Sequence, residues 1–70
     1  MTSTHPTEAH MRALSAAELL ADRYDVARVS GDLIFLATPA CAMNAAGWLN
    51  VRGFDTLAVV EGQWCVRVYG

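Results

Sequence analysis

The chain has 70 residues and a formal charge of −2, with 54% hydrophobic and 17% charged residues. That is too apolar for charge-driven disorder and too short for two independent cores, so residues 1–70 are expected to form one domain. No apolar run approaches the roughly 20 residues a bilayer requires, and the start lacks the basic and apolar segments of a secretory signal, so no membrane span and a cytoplasmic address are expected.

Residues 1–7 (MTSTHPT) are polar, carry a proline and show no apolar period, which predicts a flexible tail or a lead-in to a helix. Ser15-Ala16-Ala17-Glu18 then fits a capping box, with Leu14 and Leu19 placed as its hydrophobic staple, and predicts a helix over Ala16 to Tyr24. A second reading starts the helix at Thr7 and runs it through Ser15. Both starts stay open. Val26 to Val29 and Leu33 to Ala37 flank Ser30-Gly31-Asp32 and predict a β-hairpin, its second strand apolar on both faces. Thr38-Pro39 opens a short helix over Ala40 to Ala46, with Gly47 placed to stop it. Strands are expected over Trp48 to Arg52, Thr56 to Val60 and Gln63 to Tyr69, with turns at Gly53 to Asp55 and Glu61-Gly62. The order α-β-β-α-β-β-β describes a small α+β domain: a mainly antiparallel sheet of four to five strands, one longer N-terminal helix and one short middle helix. No internal repeat is read.

Size matters to function here. Area scaling gives about 4,300 Å² of folded surface. Apolar burial and chain ordering are each on the order of 100 kcal/mol and nearly cancel. Covering an apolar face in a homodimer or on a partner would therefore stabilise the chain considerably. All five basic residues are arginines, and alanine occurs twelve times against one isoleucine. That bias fits a GC-rich genome and hints at bacterial or phage origin.

The chemistry-bearing residues are sparse. Cys41, Cys65, His5 and His10 supply zinc donors, but neither cysteine has a partner at zinc-motif spacing, so no metal and no cofactor are expected. Without a secretory signal, the two cysteines are expected to be small buried hydrophobes rather than a disulfide. Cys41 or Cys65 with His10 lacks a third, orienting group, and Asp22 and Asp25 sit at a helix exit, so no catalytic residue is assigned. A domain this small can rarely spare a pocket of a few hundred Å³, so an enzyme is not expected.

Arg28, Arg52 and Arg67, beside Trp48 and Tyr69, could form an Arg/aromatic sheet face for bases. The net acidity opposes direct nucleic-acid binding, leaving a small nucleic-acid-binding or regulatory domain as the alternative. The surplus of aromatic and apolar residues favours protein binding instead. Arg52, Phe54, Asp55, Arg67 and Tyr69 are the expected partner contacts, and Gln63 to Tyr69 is the expected edge for β-addition. The concrete form of this expectation is a docking module for a larger bacterial complex. One such module is a phage-encoded, anti-CRISPR-like steric blocker of a defence complex, acting in the host cytoplasm. The subunit of an obligate homo-oligomer is a further alternative.

Overall fold

Alanine spacing sets the first layer. In the computed structural model, which describes residues 8–69, helix α1 spans Glu8–Leu20 and buries Ala13, Ala16, Ala17 and Leu20. These fall at i, i+3, i+4 and i+7, one stripe of a helix. Of the two starts left open, the structure has the earlier one. Ser15 and Glu18 are exposed residues within the helix, so the capping-box pattern caps nothing, and Glu8 supplies the acidic first turn that the helix dipole favours. The tail expected over residues 1–7 lies outside the described residues.

A single 3₁₀ turn, Pro39–Cys41, leads into helix α2, Ala42–Val51. Thr38 precedes it in extended conformation without a side-chain cap bond. Helix α2 buries Ala42, Ala45, Ala46 and Leu49, the same spacing as α1. The strand expected over Trp48 to Arg52 is therefore corrected. Those residues continue the helix, because Leu49 completes its buried stripe and Gly47 does not stop it. The stop is Gly53, at φ +98. There the Gly53 N–H donates to the Asn50 carbonyl and the Phe54 N–H to the Leu49 carbonyl, both at 3.1 Å, the paired bonds of a Schellman ending. Phe54 completes it by packing against the core cluster that holds Leu49.

The strands are β1 (Val26–Ser30), β2 (Leu33–Leu36), β3 (Asp55–Glu61) and β4 (Gln63–Tyr69). They form one antiparallel sheet in the order β1-β2-β4-β3. Each hairpin turns on a glycine with positive φ, Gly31 at +59 and Gly62 at +78. The expectation of no internal repeat is also corrected. Ala-x-x-Ala-Ala-x-x-Leu occurs at 13–20 and again at 42–49, and each copy lies in a helix followed by a glycine-turned hairpin. The fold is thus two αββ units joined through β2 and β4.

Both helices lie on one face of the sheet, α1 against β1, β2 and β4, and α2 against β3 and β4. Between the layers sit the buried alanines with Leu20, Ile34, Leu36, Leu49, Val66 and Val68. The exposed surface is 4437 Å², close to the scaling value for this size. No helix among the described residues is long and apolar enough to cross a membrane.

One polar group locks α2 to β3. Thr56 is buried, and its hydroxyl lies 2.7 Å from the Ala46 carbonyl and 2.8 Å from Asn50 Oδ1, two acceptors for one proton. Its N–H donates to the same Asn50 oxygen at 2.8 Å. Thr56→Val keeps the shape and removes the hydroxyl, and is expected to cost about 1–2 kcal/mol in urea denaturation. An unchanged midpoint would show that the hydroxyl contributes nothing.

Candidate docking edge and cleft

Every sheet that is not a barrel has two edges, and here they differ. The outer strands are β1 and β3, so the expectation of β-addition along Gln63–Tyr69 is corrected: β4 is hydrogen-bonded on both sides. Edge β1 is blunted by a register shift between Val26 and Arg28, a standard protection against unwanted pairing. Its counterpart β3 pairs with β4 in unbroken register along all seven residues.

The direction of β3's free groups follows from two hydrogen bonds. Thr56 faces Val68 across the β3–β4 ladder, and the Val68 N–H points the other way, to the Asp32 carbonyl at 2.8 Å. The Thr56 N–H likewise points away from β4, to Asn50. Residues of the same parity, Ala58 and Val60, therefore aim their N–H and C=O groups outward at the open edge. Asn50 closes this edge at Thr56, and among the described residues no strand pairs outside Ala58 and Val60.

A cleft of about 290 Å³ runs beside that edge, lined by Met43, Gly47, Asn50, Thr56, Ala58 and Trp64 among others. None of its described lining residues titrates near neutral pH. Met43 at 68% and Trp64 at 45% exposure line it, and Val60, at 58%, follows Ala58 on the same face of β3. Gly47 is an exposed residue of the cleft lining. A Cβ there would meet nothing within 4 Å, and glycine inside a helix costs about 1 kcal/mol relative to alanine.

The expected contact residues do not form one patch. Asp55 and Tyr69 face each other across the β3–β4 ladder, and Arg67 follows two residues from Tyr69 on the same, helix-free face. Arg67 is held by Asp32 at 3.5 Å and Glu61 at 3.4 Å. Arg52 and Phe54 lie at the end of α2. The Arg52 guanidinium stacks 3.8 Å from the Trp48 ring centroid, with Arg23 at 5.8 Å from the same ring. The Arg/aromatic sheet face is divided likewise: Arg28 covers Phe35 at 3.9 Å on the helix-free face, whereas Arg52 caps a helix.

The cysteines lie on opposite sides of the sheet and are both free. Cys41 packs against the core beside a smaller cleft of about 170 Å³, which it shares with Arg23, Tyr24, Asp25, Leu36 and Thr38. The described lining of that cleft includes no imidazole. His10 Nδ1 donates to the Gly31 carbonyl at 2.6 Å instead. Among the described residues no three of His, Cys, Asp and Glu are placed to hold a metal ion. Cys65 is fully buried on the helix-free face, and burial, with the Glu61 charge acting in the same direction, pushes its thiol above the ordinary 9.0. The native state therefore keeps this proton to higher pH than the unfolded chain. Its contribution to stability is complete below the unfolded thiol's value and is lost as pH rises above 9.0. In alkylation at pH 8 the half-buried Cys41 is expected to react well before Cys65; equal rates would contradict this placement.

No family model, no curated protein and no solved structure matches the chain.

Proposed function

We propose that the chain is a non-enzymatic protein-binding module that docks by accepting an extended strand of another chain along β3. The observation that carries this reading is the pairing of a sheet edge left unpaired among the described residues, with outward groups at Ala58 and Val60, with an apolar cleft beside it. Added strands gain affinity from main-chain hydrogen bonds and specificity from pockets that receive alternate side chains, and both elements are present here. A phage-encoded inhibitor of a bacterial defence complex would act through such an edge by steric blockade.

Two variants test the reading while sparing the fold. Ala58→Pro removes an outward N–H, which costs the β3–β4 ladder nothing, and edge strands tolerate such a proline. Met43→Asp places a carboxylate in the apolar lining of the cleft, at an exposed position in the first turn of α2 where the helix dipole favours it. Random heptapeptides displayed against dilute protein should yield binders that shift the Ala58 and Val60 amide signals, and both variants should lose them at least tenfold. No selectable peptide, or binders indifferent to both substitutions, would overturn the proposal.

A further inference from the structure

We infer that the strand filling this edge is β3 of a second copy, paired antiparallel about a two-fold axis at Val59. The inference rests on the edge-docking reading and names the occupant. The argument is one of register. An antiparallel two-fold partner must pair outward-facing residues with outward-facing residues, and Asn50 already occupies the Thr56 N–H. A two-fold at Ala58 would oppose Asp55 with Glu61 of the second copy at both ends, a like-charge pairing that is destabilising, and would set Val60 against the occupied Thr56. A two-fold at Val60 leaves Ala58 facing Gly62 beyond the strand end. The two-fold at Val59 pairs Ala58 with Val60 of the second copy and Val60 with its Ala58. All four outward N–H groups at these positions then find acceptors, and no two carboxylates face each other.

The same register fits the shape. Ala58 and Val60 project toward the helix side: Ala58 packs on the core and lines the cleft with Gly47, and Val60 stands exposed two residues along. Pairing Ala58 with the second copy's Val60 seats each protruding valine beside the other copy's cleft. Knob and hole are on one strand, at the spacing the two-fold requires, so the patch is complementary to itself. The two sheets become one of eight strands, in the order β1-β2-β4-β3 and its mirror sequence, with the bulged β1 strands outermost.

Sedimentation of the full chain up to several hundred micromolar tests this directly. Mass is expected to rise from 7.6 kDa toward twice that value with concentration. Amide exchange at Ala58 and Val60 should slow at least tenfold between dilute and concentrated samples, while that of the β1 edge should not change. Ala58→Pro is expected to hold the mass at 7.6 kDa with its circular dichroism unchanged. As a second variant, Val60→Asp places a carboxylate over each cleft on an exposed position and should do the same. A chain that stays monomeric throughout, or that doubles in mass while both amides still exchange rapidly, overturns self-pairing. A monomer that still enriches strand-like peptides ends this inference alone; one that enriches none ends the docking reading as well.

Discussion

Leu49→Ala is expected to leave much of the protein unfolded at 37 °C. Leu49 is fully buried between α2 and the sheet, and truncating such a leucine costs about 2–5 kcal/mol through lost transfer energy and the cavity left behind. A chain of this size has about 4–10 kcal/mol in all. The surroundings have little freedom to collapse into the gap. The neighbours along the stripe, Ala42, Ala45 and Ala46, are already minimal, and the Leu49 carbonyl is fixed by the N–H groups of Arg52 and Phe54, at 3.0 and 3.1 Å. Denaturant titration at one fixed protein concentration measures the loss, because any self-association would make the midpoint concentration-dependent. A change under about 1 kcal/mol would mean that the α2 layer is far looser than its burial implies.

Ala16→Leu is expected to destabilise by about 1–3 kcal/mol although it adds apolar surface. Ala16 has no exposed area, and its stripe neighbours Ala13 and Ala17 also carry side chains of a single carbon. Three extra carbons can enter only by pushing α1 outward. For a domain this small the melting temperature should fall by roughly 5–20 °C, with about 4–8 °C per kcal/mol. The control is Met11→Ala on the opposite, exposed face of α1, which should change it little. A rise in melting temperature for Ala16→Leu would show an unfilled space between the layers.

These two substitutions also mark what was legible in the sequence. The α+β class, the first hairpin with Gly31 and the antiparallel final pair follow from alternation and turn chemistry, and the structure has them. Two features went unread for one reason. Twelve alanines look like a genomic bias, yet six of them, at 13, 16, 17, 42, 45 and 46, form the buried helix stripes. Reading them as core residues would have shown the Ala-x-x-Ala-Ala-x-x-Leu repeat, carried α2 through Gly47 to Leu49, and turned the expected strand at Trp48 to Arg52 into helix. Trp48 and Val51 prefer strands by local propensity, but a buried Leu49 at the right phase outweighs that preference.

The candidate site was less legible. Strand alternation identifies β4 as a strand but says nothing about its neighbours, so its central place, and the freedom of β3, come only from topology. The cleft likewise depends on α2 running past Gly47 to reach Asn50 beside β3, which a reading of that glycine as a helix stop does not foresee. Among the expected contacts, Arg67 turns out to be engaged by Asp32 and Glu61, and no sequence pattern reveals the first of these pairs, because Asp32 lies far from Arg67 along the chain.

The placement of β4 has a bearing on how the protein is made. Strands β1 and β2 leave the ribosome as one hairpin and β3 follows with no strand beside it, since the strand that touches both halves is translated after them. Until Gln63–Tyr69 emerges, β2 and β3 each carry a bare flank next to oily side chains, the condition in which nascent chains stick to one another. Adding the keystone strand closes both flanks in one step, so a ribosome that stalls before Gln63 should release a product fit only for proteolysis.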